Sequence, residues 1–250
     1  MSEELELKLI KKIEELEREI ELLKNENIKN IEKIPTYSFS KIRDIELNKI
    51  VDIEQKIDRA IFDKWFNADI KLKTDEVNLL KELLEEELDY ISLYDEEDLK
   101  MRFLSPILRK VNFKSENFRD FYDEKIVYET EKFILNGEVD FTISKGLRFA
   151  KKPYFFIQEF KRAEDFSNPR PQLLAELISA VELNSENEMS GAYIVGENWH
   201  FVILQRLKKH KYQYYISKTF NSTNIEDLKA IYKNLLYVKS EIIEKAKKEL

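Results

Sequence analysis

Three ionisable residues stand beside the most apolar runs of this chain. Asp140 lies between Val139 and Phe141, and Glu159 and Lys161 follow directly on Tyr154-Phe155-Phe156-Ile157. Side chains alternate along a strand, so Glu159 and Lys161 share one face and Phe160 takes the other. If the strand of Asp140 lies beside that of Glu159, the two carboxylates come within reach of one ion. Two carboxylates, a backbone carbonyl and waters suit Mg²⁺, which prefers oxygen ligands and keeps part of its hydration shell. Lys161, on the same face, could orient or help deprotonate a metal-bound water. Such a site would perform hydrolytic phosphoryl chemistry.

The elements that must position these groups follow from periodicity. A helix is predicted over 95–110, with Leu99, Phe103 and Ile107 on one face and Pro106 as a kink. "KIVYETEKFI" alternates as a strand over 125–134, and Asn136-Gly137 reads as a tight hairpin turn. Strands at 138–143 and 153–161 follow, and then a helix over 172–184. "GAYIVG", 191–196, has the short apolar character of a central strand. A strand pair around 208–211 and an amphipathic helix over 225–247 close the chain.

The "GEVDF" strand, the loop after it and "PYFFIQEFK" resemble the PD-(D/E)XK, or restriction-endonuclease-like, nucleases. "DLKMRF" and the "VG-NW" element narrow the likeness to a prokaryotic group of that superfamily, over about 95–205. The resemblance implies an α/β fold: a core ordered helix-strand-strand-strand-helix-strand, with a mixed sheet flanked by helices. It implies Mg²⁺ or Mn²⁺ held by Asp140, Glu159 and the Phe160 carbonyl, with Lys161 assisting the attacking water. It further implies an acid from the preceding helix, Glu96 or Asp98, and a glutamine early in the next helix, Gln172. Val139 stands where the family's naming proline would be.

Each residue also has a plainer reading. Glu159 and Lys161 could be a surface ion pair at a strand end, and Asp140 a solvated strand position. The acids at 96–98 suit a first helical turn capped by Asp95, and Gln172 suits an early helix position. His200 and His210 are isolated, and Trp199 reads as packing. For substrate, Lys145, Arg148, Lys151 and Lys152 between the two catalytic strands, with Arg162 and Arg170 beyond, could form a local basic funnel for nucleic acid, DNA being expected. That funnel must be local, because the 250-residue chain carries a net charge of −7. No base-reading module is recognisable.

The absence of cysteine excludes disulfides, thiolate metal sites and cysteine nucleophiles. The acidic start lacks a secretory signature and no apolar run is long enough for a bilayer, so a cytoplasmic protein without a membrane partner is expected. Residues 1–34 carry a heptad, with Leu9, Leu16 and Leu23 at one core position and Ile13, Ile20 and Ile34 at the other. Asn27 also falls at a core position. This segment reads either as a coiled coil, for a homodimer or a partner protein, or as an amphipathic helix on its own domain. Residues 35–93 are expected as a helical assembly region with helices over about 40–66 and 74–90, and 94–250 as the nuclease domain. A non-catalytic scaffold with a working coiled coil is the competing function.

Overall fold

The longest alternating runs of the sequence become the longest strands. A computed structural model describes residues 12–13, 15–20, 34–161 and 168–248. The chain forms two units, Met1–Pro35 and Thr36–Leu250. In the first, the described helical positions Ile13, Leu16 and Ile20 are each about half exposed. Leu9, Leu23 and Asn27 lie outside the described residues.

The second unit is a mixed α/β structure built on one curled sheet. Its described strands are β1 (Thr36–Ser38), β2 (Asp52–Gln55), β3 (Arg119–Glu129), β4 (Ile134–Lys145), β5 (Lys151–Lys161), β6 (Glu188–Val195), β7 (Asn198–Lys208), β8 (Lys211–Ile216) and β9 (Phe220–Asn221). The main path runs β1-β4-β5-β6-β7-β8-β2, with β3 on β4 and β9 on β7. The helices are α1 (Asp44–Ile50), α2 (Asp63–Phe66), α3 (Thr74–Glu87), α4 (Glu96–Asp98, Leu99–Leu104 and Ser105–Val111 in succession), α5 (Pro169–Asn184) and α6 (Ile225–Lys248). From α4 the order is helix, three strands, helix, strand, as the periodicity predicts.

Two apolar cores flank the sheet. Phe156 and Phe160 of β5 pack with Phe103 and Ile107 of α4 and Tyr232 of α6 in one, while Ile157 packs with Leu173 and Leu177 of α5 in the other. Alternation along β5 thus feeds both cores, and each fully buried Leu or Phe contributes roughly 1.5–3 kcal/mol. Helix α5 is buried around most of its circumference, from Pro171 to Val181. It forms the crossover between β5 and β6, which pair in parallel. Among the described residues no helix is long and apolar enough to cross a membrane.

Three expectations are corrected. Residues 36–93 are not a separate helical region: β1 pairs in parallel with β4, and β2 pairs in parallel with β8. The helix expected over 40–66 is broken by β2, whose ends are held by the Asp52 N–H to the His210 carbonyl just before β8 and by the Lys56 N–H, just after β2, to the Tyr214 carbonyl of β8. An open sheet edge has overridden local propensity there. The hairpin turn lies not at Asn136-Gly137 but at 130–133, where the Thr130 hydroxyl accepts the Phe133 amide at 2.9 Å. Gly137 sits inside β4 because Phe39 packs onto it: a Cβ there would lie 2.7 Å from the Phe39 ring.

Candidate active site

Strand β4 shares its two edges unequally. One edge pairs with β3 along almost its whole length. The other pairs with β5 only from Phe141 (opposite Gln158) onward, and with β1 at 134–136. In between, β4 and β5 part. At the fork the Phe160 amide, which has left the β4 ladder, donates instead to Asp140 Oδ2 at 2.8 Å. A side chain thus replaces a strand partner, as an internal N–H requires. The hairpin is pinned just below by Phe141, Ile143 and Phe156, all fully buried.

Around this fork the structure gathers Asp140, Glu159, Lys161 and Glu96. Lys161 Nζ lies 2.6 Å from Glu159 Oε1, 3.5 Å from Glu96 Oε2 and 4.0 Å from Asp140 Oδ2. It also donates to the Phe160 carbonyl at 2.9 Å. Glu159 is fully buried; Lys161 pairs with its Oε1, and its Oε2 accepts no hydrogen bond among the described residues. Burial pushes its carboxyl well above the usual range, and the neighbouring Glu176 and Asp140 push it further, against the pull of Lys161. Burial works against the Lys161 ammonium, but Glu159, Asp140 and Glu96 outweigh it and hold that proton more firmly than in water.

The two candidates from α4 separate cleanly. Asp95 caps the helix through the Asp98 amide at 2.8 Å, as expected. Glu96 turns toward the lysines of the fork. Asp98 instead pairs with Arg102 at 2.8 Å on an exposed face, one turn along the same helix. It is not part of the cluster. Gln172 is buried at the site and donates from Nε2 to Glu176 Oε1 at 3.1 Å, so its direct partner is a further acid.

Two residues at the fork escaped the sequence reading. Lys100 Nζ lies 2.8 Å from Asp140 Oδ1 and 3.3 Å from Glu96 Oε1. Its signal was the four-residue spacing from Glu96 on one helix face. Glu176 is completely buried on α5, and that burial lifts its carboxyl to about 8 despite the Gln172 hydrogen bond. Its signal was the one charge inside "QLLAELISAV", a helical run with apolar residues on every face.

A groove of about 510 Å³ opens onto the cluster, lined by Asp140, Glu159, Lys161 and Gln172 and walled by Ser38, Ser40, Lys125 and Asn136. The expected basic funnel lies elsewhere. Lys151 is eight residues from Glu159 along β5, roughly 26 Å, and Lys145 is five residues from Asp140 along β4, roughly 17 Å. Hairpin geometry therefore carries Lys145, Arg148, Lys151 and Lys152 to the end remote from the acids. Arg170 is paired with Asp44, and Arg162 lies outside the described residues. His200 stacks on Tyr193 with ring centroids 4.6 Å apart, and His210 lies 3.4 Å from the Tyr128 hydroxyl, so neither joins the site.

Asp140, Glu159 and the Phe160 carbonyl form an all-oxygen donor set fit for a hard divalent cation. The buried Oε2 of Glu159, without a hydrogen-bond partner among the described residues, is the feature such an ion would satisfy. Among the described residues no group of three or more Asp, Glu, His or Cys side chains converges to hold a metal, so the set is two carboxylates and a carbonyl. Comparison with protein-family models and with curated proteins finds no match to this chain.

Proposed function

We propose that this protein is a divalent-metal-dependent phosphodiester hydrolase of the PD-(D/E)XK, restriction-endonuclease-like class, acting on nucleic acid, with DNA as the expected substrate. One observation carries the reading. Asp140, Glu159 and the Phe160 carbonyl meet at a strand fork, with the Lys161 ammonium among them. A surface ion pair would not need a fully buried Glu159. The order helix-strand-strand-strand-helix-strand around the fork supports the same class.

Asp140, Glu159 and the Phe160 carbonyl would hold Mg²⁺ or Mn²⁺, which supplies charge neutralisation and an acidified water. Asp140 grips the Phe160 amide, which fixes its own carboxylate and the adjoining carbonyl in one arrangement. Lys161 keeps its proton, because the surrounding carboxylates hold it there. A charged Lys161 can donate: it orients the attacking water and offsets charge on a phosphate oxygen. Glu96 bridges Lys100 and Lys161 and sets their positions. Ser38, Ser40, Asn136 and Lys125 offer hydrogen-bond donors along the groove to the strand that carries the scissile phosphate.

The test is Mn²⁺-dependent cleavage of single- and double-stranded DNA and RNA by Asp140→Asn and Lys161→Met, each shown folded by circular dichroism. Asp140→Asn should lose metal binding and cleavage together. Lys161→Met should keep metal binding and lose on the order of 10²–10⁴-fold in rate. Wild-type rates in either folded variant would falsify the assigned roles.

A further inference from the structure

Lys100 has no chemical role above, yet it makes the shorter of the two ion pairs to Asp140 in the cluster. Its ammonium lies 2.8 Å from Asp140 Oδ1, against 4.0 Å for Lys161 to Oδ2, and reaches Glu96 Oε1 at 3.3 Å. The side chain is largely buried, at 18% exposure, and the ammonium sits 5.9 Å from the Phe160 ring centroid. These partners account for its environment: two carboxylates and one aromatic ring, with Lys161 bound to the same Glu96. Lys100 lies on the widened, π-helical part of α4, Leu99–Leu104. Pro106 follows and cannot donate to the Arg102 carbonyl, which loosens the helix at this turn. Widened turns of this kind concentrate at functional positions.

Electrostatics make the contact consequential. Asp140 Oδ2 already accepts the Phe160 amide, which leaves Oδ1 as the oxygen without a backbone hydrogen bond. The Lys100 ammonium already stands on it. A divalent cation and an ammonium cannot share one oxygen at contact distance without strong repulsion in a partly buried setting.

We propose that Lys100 is a built-in counter-ion, which a divalent cation must displace from Asp140, so that this lysine sets how much metal the site requires. The inference rests on the metal-site reading of Asp140 and Glu159. In the metal-free protein Lys100 holds Asp140 and Glu96 in place and offsets their charge. On metal binding it gives up Asp140 and keeps Glu96, one helical turn away on its own helix. Lys100 is thus a positioning residue, and its action is on the cation rather than on substrate.

The experiment is calorimetric titration of MnCl₂ into the full-length wild type, Lys100→Met and Lys100→Arg, with thermal unfolding of each in EDTA. Lys100→Met keeps the stem and removes the charge. It should bind Mn²⁺ about tenfold more tightly, the scale of removing one partly buried competing ion pair. It should also unfold at a lower temperature in EDTA, because Asp140 loses its counter-charge. Lys100→Arg, which keeps the charge, should bind Mn²⁺ close to wild type. A lysine with only a scaffolding role would, on removal, loosen the site and weaken binding; unchanged or weaker Mn²⁺ affinity in Lys100→Met therefore overturns the proposal while the metal site stands. Equal tightening in Lys100→Arg overturns it as well, since charge would not be the cause. If folded wild type and Lys100→Met both fail to bind Mn²⁺, the metal-site reading itself falls, and the role of Lys100 with it.

Discussion

At the loop end of the β4–β5 hairpin, Arg148, Lys151 and Lys152 stand exposed to solvent. At the fork end, ion pairs link Lys100 to Asp140 and Lys161 to both Asp140 and Glu159, and these side chains are largely shielded from it. The loop is richer in charge of one sign, and in the sequence it is the more conspicuous. At the same separation, though, a pair of charges interacts about four times more strongly at a protein-like dielectric near 20 than in bulk water. The fork is where charge has consequences. Burial and pairing, rather than the number of lysines, separate a site from a solvated surface.

The sharpest way to break that comparison is to remove one charge at each end. Lys161→Met strands Glu159 in the interior beside Glu176 and Asp140, with its nearest cation gone. Removing one partner of a buried pair costs about 3–5 kcal/mol, and that loss is expected in metal-free urea unfolding at pH 8. At pH 5 the loss should shrink, because Glu159, already held above the usual carboxylate range, can take up a proton. Lys152→Met at the other end should stay within about 0.5 kcal/mol. Equal effects at both ends would mean the fork is no more than a surface cluster.

Glu176 sharpens the same contrast with a smaller effect. Its carboxyl titrates near 8 in the folded protein and near 4.5 when free. The folded state therefore binds the proton more strongly than the unfolded one, and stability must fall as pH rises from about 4.5 to 8. Glu176→Gln removes that penalty. In EDTA it should match the wild type near pH 4 and exceed it by a few kcal/mol at pH 8. Parallel pH profiles for the two proteins would show that Glu176 is charged in the fold at no cost.

What could be read from the sequence follows the same physical division. The apolar run at 154–157 and the apolar setting of Asp140 located the two strands and both acids of the fork. The order of elements from α4 to β6 was legible for that reason. Contacts made by distant segments were not. Nothing local in "TYSFS" marks it as a strand of the main sheet, because its partner is β4, nearly a hundred residues away. Gly137 looked like a turn residue, although what requires it is the Phe39 ring against the strand. The choice between Glu96 and Asp98 also needed the fold, since both occupy the same first turn and only the packing of α4 decides which faces the fork. Lys100 and Glu176 carried signals that became legible only once the acids around them had positions.

The loop end supplies the prediction with the smallest expected effect. If Arg148, Lys151 and Lys152 gripped substrate phosphates, the triple alanine variant would lose up to three counter-ion releases. Its plot of log affinity against log salt would then flatten by about 2–3. The hairpin places these side chains roughly 20 Å or more from the acids, beyond the Debye length of about 8 Å at physiological salt. The variant should therefore keep the wild-type slope and cleave within about threefold of the wild-type rate. Lys125→Ala, in the groove wall beside Asn136, removes a single charge and should reduce the slope by about 0.7–0.9. One lysine near the fork would then matter more than three basic residues on the loop. The reverse result would move the substrate path to the far end of the hairpin and leave the groove without a strand to hold.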